Sequence, residues 1–214
     1  MLENERIENK IKELLEREVK ELSLDVNVRY SNGHVTLYGI VDTLSEKLAI
    51  ENLVSKIDEV KSIENCLTIS TDGTLEDKEA EQNVINKLKN HPKLSSLGVE
   101  VQRGVAILKG KVDTLKEKRM AMKLASEAFG IKDVVSHIEI DSLYKTDDVT
   151  INNRIQTELV NNNLDKNDIR VNVENGSVTL NGFVNSLKDV EIAQEIAEGI
   201  EGVRNVKNFL KIRN

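Results

Sequence analysis

The chain of 214 residues has no tryptophan, one proline and one cysteine, and aromatic side chains make up only 3% of it. Each shortage removes a class of protein. With Cys66 alone, no internal disulfide can form and no cysteine cluster can hold a metal. So few aromatics argue against an aromatic-rich recognition surface such as a base-stacking or sugar-stacking platform. No run approaches the roughly 18 apolar residues of a membrane-spanning helix. The start, MLENERIENKIKELL, is charged from residue 3 and lacks the apolar stretch of a secretory signal. As written the chain therefore reads as cytoplasmic, or as periplasmic if an upstream signal was removed. No P-loop, dinucleotide-binding glycine pattern, G-x-S-x-G or H-E-x-x-H occurs. His34, His91 and His137 share no local motif, so no metal site, cofactor or catalytic centre is expected.

What is present is repetition. The stretch VNVENGSVTLNGFV, Val171 to Val184, alternates, turns at Asn175-Gly176, and alternates again to a second glycine, Gly182. It occurs three times, with glycine pairs Gly33/Gly39, Gly104/Gly110 and Gly176/Gly182. Asn-Gly or Arg-Gly between alternating apolar residues reads as a tight β-hairpin, because such turns need positive φ. By parity the second glycine of each pair falls on the apolar face, and close approach of a helix is the expected reason for a bare backbone there.

The repeat extends beyond the hairpin. VDTLSEK at Val41 recurs as VDTLKEK at Val112 and VNSLKDV at Val184. A helical stripe precedes each hairpin: Ile7, Ile11, Leu14 and Leu15, then Val84, Ile85 and Leu88, then Ile151, Ile155, Leu159 and Val160. Asp77 and Asp147 or Asp148 are plausible helix starts. A second helix follows the hairpin, with Leu48, Ile50, Leu53, Val54 and Ile57 in the first copy and alanines Ala121, Ala125, Ala193 and Ala197 in the others. A third strand closes each unit. The expected fold is α+β: three tandem αββαβ units over 1–70, 77–142 and 147–214, each a three-stranded mixed sheet with two helices on one face. The linkers, roughly 70–76 and 141–146, are short.

These residues resemble the BON domain family: NGxVxLxG in the hairpin, a V-x-S/T-L segment, an alanine-bearing helix and a GV-x-x-V-x-N ending. The third repeat matches most closely, with NGSVTLNG, VNSL, IAQEIA and GVRNVKN. The second departs at RGVAILKG and IKDVVSH. The resemblance implies the αββαβ fold and a non-enzymatic binding or scaffold role at phospholipid or envelope surfaces, in osmotic stress, or with partner proteins. Its alternative is a cytoplasmic potassium-responsive module.

Charge is uneven. Residues 1–76 carry a net −7, residues 77–142 a net +2 and residues 143–214 a net −2. Lys109, Lys111, Lys116, Lys118, Arg119 and Lys123 form the one basic concentration, a candidate contact for anionic headgroups or a partner. Its competing reading is a solvated face, or one that meets the acidic first unit. No general basic footprint points to nucleic acid. The middle unit also breaks the alternation, with Val105, Ile107 and Val135 on the face away from the helices. These three are candidate interdomain or partner contacts. Gly33, Gly39, Gly104, Gly110, Gly176 and Gly182 are assigned structural roles, and Cys66 is expected to be partly buried.

Overall fold

The three hairpin turns are the points from which the fold is best read. A computed structural model describes residues 3–18, 26–70, 76–141, 146–164 and 168–213. Most of the two linkers, 71–75 and 142–145, lies outside the described residues. The first repeat runs α1 (Glu3–Glu18), β1 (Val26–Ser31), β2 (His34–Val41), α2 (Leu44–Ser55) and β3 (Ser62–Ile69). The second is α3 (Asp77–Lys89), β4 (Gly98–Gln102), β5 (Val105–Val112), α4 (Leu115–Ser126) and β6 (Asp133–Ile140). The third is α5 (Asp148–Asn161), β7 (Ile169–Glu174), β8 (Ser177–Val184), α6 (Leu187–Gly199) and β9 (Asn205–Ile212).

The three sheets have the orders β1-β2-β3, β4-β5-β6 and β7-β8-β9. In the first and third, the hairpin pair is antiparallel and the third strand lies parallel to the second. The expected αββαβ architecture is therefore present in all three repeats. The chain gathers into two compact bodies. One is Met1–Lys87 with Val99–Ile107 and Lys123–Val135; the other is Leu88–Gly98 with Leu108–Met122 and Ser136–Asn214.

Both central turn residues have positive φ in every hairpin: Asn32 50° and Gly33 92°, Arg103 52° and Gly104 78°, Asn175 51° and Gly176 75°. This is the turn whose twist suits a two-residue hairpin. The turn glycine's carbonyl then accepts the amide of the residue just before the third strand. Lys61, Lys132 and Arg204 each donate to Gly33, Gly104 and Gly176 at 2.8 Å. A Cβ on Gly176 would sit 2.6 Å from the Gly202 carbonyl oxygen, so the chain entering β9 passes directly over this residue.

Helix starts are chemically marked. Thr43, Thr114 and Ser186 accept the amides of Glu46, Glu117 and Asp189, each at 3.2 Å. Glu46 and Glu117 reach back to the amides of Asp42 and Asp113 at 2.9 Å, and Glu117 also accepts the Thr114 amide at 3.2 Å, which completes a capping box in the second repeat. The V-x-S/T-L segment is thus the end of β2, β5 or β8 joined to a helix cap. Asp147 caps α5 through the amide of Thr150. Asp77 and Asp148 act differently. Each is the first residue of its helix and accepts both turn amides of its hairpin, Arg103 and Gly104 or Asn175 and Gly176, at 2.7–2.9 Å.

The cores follow the stripes. In the third repeat Ile151, Ile155 and Leu159 of α5 and Ala193 and Ala197 of α6 pack on Val171, Val178, Leu180 and Val184. Two residues leave their expected stripes: Leu48 and Val160 are 51% and 50% exposed. Leu48 lies two positions before buried Ile50, about 200° around the helix, and Val160 follows buried Leu159 by about 100°. Cys66 is exposed rather than partly buried. It pairs across to Tyr38 on the sheet face opposite the core residues Leu67 and Ile69.

The second glycines need a different explanation from helix approach. Gly39, Gly110 and Gly182 have φ of 137°, 133° and 128°, a region that L side chains rarely adopt. At Gly182 an added Cβ would fall on the carbonyl oxygen of Asp168; at Gly110 it would lie 2.9 Å from Leu97 Cδ2. What crowds these two glycines is the chain entering the first hairpin strand, not the alanine helix. The Asp168 carbonyl also accepts the amide of Phe183 at 3.1 Å, which draws that entry across Gly182. We expect Gly182→Ala to cost about 3 kcal/mol or more, because a backbone oxygen cannot yield. Gly110→Ala should cost about 1–2 kcal/mol, because a leucine tip can move. Urea unfolding midpoints measure both; equal losses would contradict the assignment.

Candidate functional site: charged helix row and open sheet faces

No group of three or more His, Cys, Asp or Glu among the described residues is placed to hold a metal ion. A cleft of about 550 Å³ is lined by Asp141, Asp147, Asp148, Asn175, Gly176 and Arg204, among others. Its carboxylates are already engaged. Asp141 pairs with Lys111 at 2.7 Å, Asp147 caps α5, and Asp148 holds the β7–β8 turn. The Thr150 amide and hydroxyl hold the Asp147 carboxyl below its usual range. The Arg103 and Gly104 amides do the same for Asp77. These shifts come from hydrogen bonds that organise turns and caps.

The basic concentration of the middle repeat is divided by the fold. Lys109 and Lys111 lie on β5, while Lys116, Lys118, Arg119 and Lys123 lie on α4. Lys118 donates to the Ile138 carbonyl at 2.7 Å, as Lys47 does to the Leu67 carbonyl at 2.7 Å in the first repeat. Lys118 therefore closes a helix onto the third strand. Lys123 lies 4.0 Å from Glu127 on the following turn of chain. Lys116 pairs with Glu195 at 3.0 Å, and Arg119 pairs with Glu198. Both acids belong to α6, so the row meets the third repeat where the sequence pointed to the acidic first one. The residues involved lie in one compact body.

This contact includes a buried carboxylate. Glu198 is only 5% exposed and also accepts from Gln194 Nε2 at 2.9 Å. Leu115 packs against the core of the third repeat. A small cleft there is lined by Leu115, Arg119, Met122, Gln194, Glu198 and Val206. Sequence inspection missed Glu195 and Glu198 as partners because they lie 79 residues from their bases. The signal available was their spacing, i and i+3, matching Lys116 and Arg119 on the facing helix.

The other candidate surfaces are the sheet faces turned away from the helices. In the middle repeat Val105 and Ile107 are half-buried and Val135 is 38% exposed. In the first repeat that face carries Tyr38 and Ile40, with Arg29 stacked 5.4 Å from the Tyr38 ring centre. In the third repeat it carries Phe183 and Phe209, 51% and 57% exposed. One backbone design thus presents three chemically different faces.

Three αββαβ units in tandem define the architecture. The BON domain model matches residues 3–71, 76–142 and 147–214, and the chain belongs to the BON domain family. A protein of Anaplasma centrale, "Uncharacterized protein in gshII 5'region", is 26% identical over 137 residues, 61% of this chain and 91% of that protein. Osmotically-inducible protein Y of Escherichia coli is 25% identical over 128 residues, 56% of this chain. The match spans 64% of that relative's length. Among solved structures, CdsD, a structural protein of the Type III secretion system of Chlamydia trachomatis, covers 97% of this chain and 92% of its own, at 18% identity and TM-score 0.27. The PrgH periplasmic domain is similar at 13% identity and TM-score 0.24, covering 88% and 95%. Scores at that level say nothing of how this chain acts.

The α4–α6 contact has a measurable asymmetry. Arg119→Ala is expected to destabilise by about 1–3 kcal/mol, since it leaves the buried Glu198 carboxylate without its cation. Lys116→Ala, whose pair is exposed on both sides, should cost less than about 0.5–1 kcal/mol. Urea unfolding of both variants and of Arg119→Ala/Glu198→Ala distinguishes these. A double variant no more stable than Arg119→Ala would contradict the buried-charge account.

Proposed function

We propose that this protein is a non-enzymatic binding or scaffold protein that uses its BON repeats to hold partner proteins or an anionic phospholipid surface under envelope or osmotic stress. The observation that carries the reading is the division of labour within each repeat. The helices and turns consume their polar groups in caps, turn tethers and ion pairs, while one sheet face is left to vary between repeats. Family membership supports a binding role, and one relative is named for osmotic induction.

For the phospholipid version, the middle repeat's basic residues are the proposed contact. Lys116, Lys118 and Arg119 hold α4 to α6 and to β6, whereas the pairs of Lys111 with Asp141 and of Lys123 with Glu127 are solvent-exposed, so Lys109, Lys111 and Lys123 are the positions to reverse without opening α4. Co-sedimentation with phosphatidylglycerol vesicles and with neutral phosphatidylcholine vesicles tests it. Wild type should pellet with the anionic vesicles alone, and Lys109→Glu/Lys111→Glu/Lys123→Glu should remain in the supernatant. Equal pelleting of that variant, or none by wild type, would overturn the phospholipid version.

A further inference from the structure

We infer that the open sheet face of the third repeat is a stacking platform for single-stranded nucleic acid, centred on Phe183 and Phe209. This goes beyond the reading above and uses a different surface. The chain has only three phenylalanines, and two stand on this one face, each more than half exposed. The β8–β9 register pairs Asn181 with Phe209 and Phe183 with Lys211. A strand spacing of about 4.8 Å and two residues of rise, roughly 6.6 Å, put their Cα atoms about 8 Å apart. Two neighbouring bases can each take one ring. In the first repeat the equivalent face offers no bare ring, because Arg29 already covers Tyr38.

The charge around the rings selects the ligand. Arg170, Lys207 and Lys211 lie on the same face and are exposed. Among the described residues none of the three has an ion-pair partner, whereas in the same repeat Arg154 pairs with Glu201 at 3.8 Å and Arg213 with Asp168. Two acids stand at its ends and both are engaged: Glu174 accepts from Asn172 at 3.2 Å, and Asp168 pairs with Arg213. In a chain of net charge −7, a face with three unpaired cations beside two bare rings fits a ligand carrying both phosphates and flat apolar surfaces. A second copy of the same face would set these cations against each other. A lipid interior would strip water from Asn181 beside the rings and from Thr179 next along the strand without giving them partners. Base edges carry donors and acceptors that satisfy both.

The whole-chain charge opposes a large electrostatic contribution, so binding should be weak and depend on few phosphates. Fluorescence anisotropy of the full chain with a labelled twelve-residue oligothymidylate at low salt tests this. We expect saturable binding whose log–log salt slope is about −2, the value for three phosphate contacts on a single strand. Phe183→Ala and Phe209→Ala should each weaken binding at least about fivefold. Phe183→Tyr/Phe209→Tyr should retain it, and Lys207→Glu/Lys211→Glu should abolish it. Because both rings are exposed, unchanged circular dichroism is the check that these variants fold. No binding by wild type, or binding unchanged in the alanine variants, overturns the inference. So does loss in those variants of phosphatidylglycerol-vesicle binding with oligonucleotide binding intact, which would make the face a membrane contact. The vesicle assay with the lysine variants of the middle repeat reports separately on the proposed function.

Discussion

The carbonyl of the first hairpin glycine is the group on which each repeat depends. It is held pointing outward by a turn in which two successive residues have positive φ, and it receives the amide that leads the chain into the third strand. This one bond sets where the third strand starts. Since that strand pairs parallel to the second, its start fixes every later pair, from Val35↔Ile63 or Val178↔Val206 onward. A slip of one residue would turn its buried side chains to the other face. In the second and third repeats a helix-opening carboxylate, Asp77 or Asp148, grips the turn from its amide side. The turn therefore joins first helix, hairpin and third strand at a single point. Among the described residues the first repeat shows no such grip, and Asn4 stands where the later repeats carry Asp77 and Asp148, three residues before the first buried residue of the helix.

This arrangement leaves the opposite side of the sheet free of structural duty. Helices cover one face, and the polar groups at the turn end are used up within the fold. The face that remains can change its chemistry without disturbing the register. It has done so in all three repeats: Tyr38 and Ile40 with Arg29, Val105 and Ile107 with Val135, Phe183 and Phe209 with Lys207 and Lys211. One frame thus carries three chemically dissimilar faces, the feature on which the proposed binding role rests.

Much of the frame was legible in the sequence because its signals are local. Asn-Gly between alternating strands names the turn, and a period near 71 residues names the repeat. The alanines of α4 and α6 announce a helix packed hard on a sheet, and Ala121, Ala125, Ala193 and Ala197 are fully buried. The second glycine was misread for a physical reason. Parity assigns a residue to a face but carries no information about φ, and Gly110 and Gly182 are required by a positive φ and by the strand entry crossing them. The basic row was visible as a cluster, but its partners Glu195 and Glu198 lie a repeat away, where only the packing of α4 on α6 could find them. Phe183 and Phe209 were hidden likewise, because a helical crossover separates two residues that the parallel register sets side by side.

The account rests on the turn glycine as the anchor of the third strand, and amide hydrogen exchange in Gly176→Ala examines that directly. The new methyl would meet the Gly202 carbonyl and the Arg204 side chain, where Arg204 donates to the Gly176 carbonyl. Protection should fall first and furthest in β9, Asn205–Ile212, while the amides that join β7 to β8 keep most of theirs. Protection in β9 equal to wild type, or a hairpin that opens before β9 does, would contradict it.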